Sequence, residues 1–136
     1  MRRTLPAVLV ILVLTCISVR AHHSYPDFLL DQKVSVEGML QELRYANPHV
    51  VLKIRTAEGV VYSAEWQAAS WLQYHAHVTL TTLRVGDHVI VSGAPSRDPA
   101  SHELVRLKEV RRPRDGWTYQ VIQEGSAGPT LTRPRP

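Results

Sequence analysis

Two neighbouring stretches of alternating apolar and polar residues constrain the fold of this chain more than any other feature. Residues 50–55 place valine, leucine and isoleucine at every second position, and residues 60–66 repeat the alternation. Ala57-Glu58-Gly59 lies between them and supplies turn chemistry. Because side chains on a strand alternate between its two faces, this pattern predicts an antiparallel β-hairpin with one buried face.

Three further strands and one short helix are predicted from similar patterns. The segment 33–45 alternates, but its phase shifts near Gly38, which predicts a bulge and a bend at that glycine. Ser70 is placed to cap a short helix that carries Trp71, Leu72 and Tyr74. The predicted strands after this helix are residues 88–92 and 104–110.

Three strands, a short helix and two more strands form the element order of an OB-type barrel. The expected fold is therefore mainly β, a small five-stranded OB-like barrel with one short helix, preceded by a cleavable signal helix. An open five-stranded sheet with one helix on it is the alternative, although barrel closure removes exposed strand edges. The predicted domain covers residues 22–112, and residues 113–136 form a Pro-, Gly- and Arg-rich tail that we expect to be flexible.

The first 21 residues have the pattern of a secretory signal peptide. Arg2 and Arg3 precede an apolar run over residues 5–19, and Val19-Arg20-Ala21 ends that run with a small residue. The run is shorter than the about 20 residues that a membrane-spanning helix needs. An uncleaved N-terminal anchor is the alternative. We expect cleavage after Ala21, export to the periplasm or the cell exterior, and no membrane span in the processed chain.

Processing would change the charge and the cysteine content of the protein. The full sequence has 16 Lys and Arg residues, 12 Asp and Glu residues and a formal net charge of +4. Loss of Arg2, Arg3 and Arg20 leaves 13 basic residues against 12 acidic ones, which argues against nucleic acid as a partner. The single cysteine, Cys16, would also be lost, so the mature chain could form no disulfide or cysteine metal site.

Histidines at two places in the mature sequence predict a metal site. If cleavage makes His22 the first residue, its free α-amine lies beside its own imidazole, and His23 follows directly. Asn47-Pro48-His49 places another imidazole at the start of the second strand. An amine and two imidazoles make a tetragonal nitrogen site that suits Cu(II). The alternative is a polar mature terminus, with the His49 ring bonded to the backbone.

Several short motifs together resemble one family of exported bacterial proteins. The motifs are Ala21-His22-His23-Ser24, the Val-x-x-Glu-Gly step that ends at Gly38, Asn47-Pro48-His49, Trp66 and Val85-Gly86-Asp87. Together they resemble domain-of-unknown-function family 6152, and the resemblance covers most of the mature chain, from His22 to about Trp117. The resemblance implies a short secreted β domain without an established activity, and it marks the two histidine motifs as positions of interest. His75-Ala76-His77 departs from the family pattern, which usually has a Gly-Trp-like step there.

The leading functional hypothesis is a periplasmic binding protein that holds copper through His22, His23 and His49. The alternative is an OB-type module that binds a periplasmic protein or glycan without metal, through a strand face carrying Tyr62 and Trp66. The sequence contains no Gly-x-Ser-x-Gly elbow, phosphate-binding loop or dinucleotide fingerprint. No catalytic residue is therefore predicted, and a binding role is favoured over an enzymatic one.

Overall fold

The computed structural model describes residues 25–122 and 130–131, which contain seven strands and one helix. The predicted signal helix, His22 and His23 lie outside the described residues. The elements are β1 Val34–Arg44, β2 Val51–Arg55, β3 Val61–Glu65, α1 Ala69–Ala76, β4 His88–Pro95, β5 Glu103–Arg112, β6 Trp117–Ile122 and β7 Thr130–Leu131.

The first five strands close into a barrel, which confirms the predicted OB-like fold. Neighbouring strands follow the order β3-β2-β1-β4-β5-β6-β7, and the sequential pairs in this order are antiparallel. A parallel pairing of β3 with β5 closes the ring, with Ser63 opposite Glu103 and Ala64 opposite Leu104. Closure leaves the five barrel strands without the two free edges of an open sheet.

Strand β1 belongs to both halves of the barrel, and Gly38 lies where it passes between them. Its first part pairs with β4 from Val34 to Met39, and its second part pairs with β2 from Met39 onward. A Cβ atom on Gly38 would lie 2.2 Å from the carbonyl oxygen of Arg55, so the glycine permits close approach of two backbones. The predicted bulge at Gly38 is misplaced, because the register shift falls between Leu40 and Glu42.

The barrel interior is filled by side chains from all five strands, and helix α1 covers it with Leu72, which is fully buried. Full burial of a leucine contributes about 1.5–3 kcal/mol to folding. The largest fully buried apolar side chains are Leu40, Leu52, Ile54, Leu72, Leu104, Leu107, Val50, Val89, Val91 and Val110. This single core binds the strands and the helix into one unit.

Helix α1 is confirmed, but its predicted cap is not. Ala68 is the N-cap residue and makes no side-chain capping bond. The oxygen Oδ1 of Asn47, in the β1–β2 loop, instead accepts hydrogen bonds from Ser70 N at 3.1 Å and Ser70 Oγ at 3.2 Å. His77 ends the helix in the left-handed conformation, at φ 55°. Within the described residues, no helix has the length and apolar character needed to cross a bilayer.

The domain continues beyond the predicted boundary at Arg112. Strand β6 pairs with β5, with Val110 opposite Tyr119, and β7 pairs in turn with β6. Trp117, Tyr119 and Val121 occupy alternate positions and pack against the core. The start of the predicted flexible tail, residue 113, is therefore placed too early, because this alternation supplies an apolar face that the barrel buries.

The segment that precedes β1 lies across the rim of the barrel. Leu29 N donates to Pro95 O at 2.9 Å, and Phe28 forms a β-bridge with Ser96. The guanidinium Nε of Arg97 donates to Pro26 O at 2.9 Å. These bonds hold the start of the described chain against the end of β4, and from there Tyr25 reaches Glu65 at the end of β3.

Candidate functional site

His49 stands at the end of the β1–β2 loop, beside the end of β3. The backbone on either side of it is fixed, because Val50 N donates to Gln67 O at 3.0 Å and Trp66 N donates to Val50 O at 2.8 Å. The peptide bond between Asn47 and Pro48 is cis. The His49 side chain is 24 % exposed, so it can still meet a ligand from solvent.

The position of the His49 ring determines which of its nitrogens is available. Nδ1 lies 3.3 Å from the carbonyl oxygen of Trp66 and 3.6 Å from Oε1 of Glu65. Both oxygens can only accept, so Nδ1 carries the proton and donates it toward them. In the neutral form of the ring with this tautomer, Nε2 is the nitrogen with a free lone pair. A ring held in this way is typical of metal-binding histidines, which donate their second nitrogen to a carbonyl or carboxylate.

Tyr25 completes a chain of three side chains at this position. Its hydroxyl donates to Oε1 of Glu65 at 2.5 Å, and Glu65 in turn lies beside His49. Burial raises the pKa of the Tyr25 phenol to about 12, together with the hydrogen bond to Glu65 and its negative charge, while nearby Arg106 acts in the opposite direction. Tyr25 therefore stays protonated across the physiological range and keeps donating to the carboxylate.

Arg106 lies on the other side of Tyr25 and has an unusual backbone. Its φ is 52°, in the left-handed region that residues other than glycine rarely adopt. Ala94 of β4 pairs with Val105, and Ser92 of β4 pairs with Glu109, so the register of the two strands shifts between these pairs. Arg106 lies in this irregular part of β5. The guanidinium carbon lies 5.3 Å from the centre of the Tyr25 ring, within the range of a cation–π interaction.

An open groove of about 370 Å³ lies beside these residues. Its lining residues are Tyr25, His49, Trp66, Gln67, Arg106, Leu107, Lys108 and Val121. The groove therefore combines apolar surface with two cationic side chains, and it reaches His49 from the β5 side. Its volume is at the small end of the range for ligand-binding clefts.

Trp66 forms part of this groove, but it is a core residue and not an exposed platform. It is 2 % exposed, and its ring packs edge-to-face on Tyr119 with centroids 4.8 Å apart. Burial raises the pKa of the Tyr119 phenol, an effect that its proximity to Trp66 partly offsets. A Trp66→Ala change would therefore remove core packing as well as groove surface. Tyr62 is half-buried against His102.

Other charged side chains and histidines of the barrel and helix lie away from His49. Glu37 lies 3.3 Å from His88, and Glu42 pairs with Lys53 at 2.8 Å, whereas Glu65 lies beside His49. The ring of His75 lies 5.0 Å from that of Trp71 along helix α1. Within residues 25–122 and 130–131, no three His, Cys, Asp or Glu side chains cluster as a metal site.

Sequence reasoning identified His49 but missed most of the side chains around it. Tyr25, Glu65, Arg106 and Lys108 come from three separate parts of the chain. A local signal existed for only one of them, since Tyr25 follows the predicted new terminus by three residues. The others meet His49 only because β3 pairs with β2 and β5.

Replacing Asn47 with alanine is expected to lower the free energy of unfolding by about 1 kcal/mol, since the first turn of α1 loses its acceptor. Asn47→Asp is the matched control, because it keeps an oxygen at the same place and adds a negative charge near a helix N-terminus. Urea denaturation measures both. Equal losses in the two variants would contradict the assignment of Asn47 as the helix-capping group.

Comparison with known proteins identifies the family of this chain but no individual relative. No curated protein matches the chain. A family model described as a family of unknown function (DUF6152) matches residues 10–105, which is more than two-thirds of the sequence. The chain therefore belongs to domain-of-unknown-function family 6152.

Proposed function

We propose that this chain is an exported periplasmic protein that binds copper through His22 and His49 in its processed form, with His23 beside them. The observation that carries the proposal is the His49 ring, whose Nδ1 is occupied by Trp66 O and Glu65. Its Nε2 is left to act as a metal ligand.

The position of Tyr25 supports a contribution from His22. Tyr25 is bonded to Glu65, and Glu65 lies beside His49. A chain extends by at most about 3.3–3.6 Å per residue, so the Cα of His22, three residues before Tyr25, is within about 11 Å of the Cα of Tyr25. Ligands from the mature terminus are therefore tethered close to the Tyr25, Glu65 and His49 side chains.

The donor set determines the choice of metal. The α-amine and imidazole of His22 with Nε2 of His49 give three nitrogen donors, and neutral nitrogen ligands in a tetragonal arrangement favour Cu(II). An α-amine has an ordinary pKa of about 7.7–8.0, so copper has to compete with only a weakly held proton near neutral pH. Glu65 and Tyr25 would orient the His49 ring without binding the metal.

Copper titration of the correctly processed protein tests this proposal. A form with the α-amine of His22 acetylated is expected to bind Cu(II) at least about 100-fold more weakly, since acetylation removes a donor without adding one and even loss of an outer-sphere partner can weaken a site by that factor. His49→Ala should weaken binding by a similar factor. Affinity is measured by competition with a chelator, and electron paramagnetic resonance reports the number of bound nitrogens.

His88→Ala is the matched control, because His88 is an exposed strand histidine paired with Glu37, away from the groove. It should bind copper as the unaltered protein does, and all variants should keep the same thermal unfolding midpoint within a few degrees. Equal copper affinity with and without acetylation of the His22 amine would show that the amine is not a ligand and would overturn the proposed site.

A further inference from the structure

We infer that the groove beside His49 binds a small organic monoanion, a carboxylate with an apolar body. This inference goes beyond the proposed copper site, because the residues that carry it need no metal. The relevant side chains are Arg106, Lys108 and Gln67 as polar groups, and the Tyr25 ring and Val121, which are both partly exposed, as apolar surface.

The two cations of the groove are available to a ligand. Within residues 25–122, neither Arg106 nor Lys108 forms an ion pair with a carboxylate. Later residues of the same strand contrast with them, since Arg111 pairs with Glu109 at 3.2 Å and Arg112 pairs with Asp87 at 3.1 Å. Two positive charges without acidic partners, placed on one groove wall, favour an anionic ligand.

The backbone of Arg106 is a second, independent observation that points to this groove. A residue with a Cβ in the left-handed region costs roughly 1–3 kcal/mol, and such outliers concentrate at binding sites. Glycine or asparagine would occupy the position with less strain. The guanidinium is nevertheless present and lies over the Tyr25 ring at the groove wall. A binding function of the guanidinium accounts for an arginine at this strained position.

The charge and size of the groove select the ligand class. Arg106 and Lys108 carry two positive charges at the groove. Glu65 does not line the groove, but it is hydrogen-bonded to Tyr25 and lies beside His49, which both do, and it adds one negative charge nearby. The net local charge of about +1 is balanced by a monoanion and not by a dianionic phosphate. A guanidinium suits the planar carboxylate. A space of about 370 Å³, with the Tyr25 ring and Val121 as its partly exposed apolar lining, admits a small apolar body.

Calorimetric titration of the metal-free processed protein with four probes tests the inference. Benzoate is expected to bind, and benzamide, its neutral analogue, about tenfold more weakly through loss of charge-assisted hydrogen bonds. Acetate, which has the charge without the apolar body, should also bind at least about tenfold more weakly. Inorganic phosphate should bind more weakly than benzoate. Phosphate binding tighter than benzoate, or benzamide binding as tightly as benzoate, would overturn the inference.

Variants on β5 assign the binding to the groove. Arg106→Asn suits the left-handed backbone and should weaken benzoate binding about tenfold without loss of stability, and Lys108→Gln should weaken it in the same direction. Arg111→Gln is the matched control, because Arg111 lies on the same strand outside the groove, and it should leave benzoate affinity unchanged. Unchanged affinity in both groove variants, or no saturable benzoate binding, would contradict the inference.

Repeating the titration with copper separates this inference from the proposed function. Benzoate binding by metal-free protein that takes up no copper would support the anion groove and refute the copper site. Copper binding through His22 and His49 without any benzoate binding would support the copper site and refute the anion groove. Neither result can be mistaken for the other, because the two ligands are titrated separately.

Discussion

Replacing Asp87 with asparagine is expected to lower the free energy of unfolding by about 3 kcal/mol, the usual cost of breaking a buried ion pair. Asp87 is 3 % exposed and faces Arg112, whose side chain is 12 % exposed, at 3.1 Å. Its carboxylate also accepts from Arg84 N at 2.9 Å. The second arginine partner, Arg114, is 62 % exposed, so solvent screening leaves it a small share of the effect.

The same residue gives the stability a defined pH dependence. Burial alone would raise the pKa of Asp87, but the Arg84 amide and the Arg112 and Arg114 guanidinium groups lower it below its ordinary value. Because the folded-state pKa is depressed, this stabilisation is fully present above the unfolded pKa of about 3.9 and is lost as pH falls through the folded value. The Asp87→Asn variant has no carboxyl group to protonate at this position. Its free energy of unfolding should therefore fall less between neutral and acidic pH than that of the unaltered protein.

Glu42→Gln is the matched control for Asp87→Asn. Glu42 pairs with Lys53 at 2.8 Å, but both side chains are about half exposed, so its loss should change the free energy of unfolding by less than about 1 kcal/mol. Chemical denaturation at neutral pH and at progressively lower pH measures both variants. If Asp87→Asn and Glu42→Gln cost the same, the Asp87 network is not a buried, stabilising one.

Replacing Gly38 with alanine is the second substitution for which we expect a large loss, of about 3 kcal/mol. The new Cβ would lie 2.2 Å from Arg55 O and 2.7 Å from Arg55 C, and both are backbone atoms that cannot move without shifting strand β2. Gly38 pairs with Val89 in the middle of β1, so relief would also disturb the β1–β4 ladder. Thermal and urea unfolding measure the loss.

Gly59→Ala distinguishes crowding from the general cost of replacing a glycine. Gly59 has φ +86° in the hairpin turn, and a Cβ there would meet no atom within 4 Å. Only left-handed strain opposes the alanine, at roughly 1–2 kcal/mol. A loss at Gly38 no larger than the loss at Gly59 would show that β2 accommodates the methyl group and that the close approach is not structurally required.

Alternation predicted the barrel strands because strand periodicity is a local property. Val50, Leu52 and Ile54 all face the core, as their spacing of two requires. The alternation of Trp117, Tyr119 and Val121 carried the same signal for β6, but the Pro-, Gly- and Arg-rich residues around it favoured a tail. The prediction followed the composition of residues 113–136 and not the alternation within them. It therefore did not include the sixth strand.

The structural roles of Gly38 and Ser70 depend on contacts with distant residues, which local sequence patterns do not contain. The sequence pattern predicts a bulge at Gly38, whereas this glycine permits the close approach of Arg55 on another strand, and the register shift comes after it. The pattern predicts Ser70 as a helix cap, whereas Ser70 donates a hydrogen bond to Asn47, 23 residues earlier. In both cases the residue type was informative, but its partner came from a distant part of the sequence.

The sequence by itself determined the family, the order of strands and helix along the chain and His49 as a residue of interest, because these follow from motifs and from periodicity along the chain. Only the tertiary structure decided what His49 faces. Strand pairing places Glu65 and the Trp66 carbonyl at its Nδ1, and the rim segment adds Tyr25 to Glu65. The parallel closure of β3 on β5 brings the wall of Arg106 and Lys108 to the same place. These juxtapositions arise from long-range pairing, which local sequence spacing does not encode.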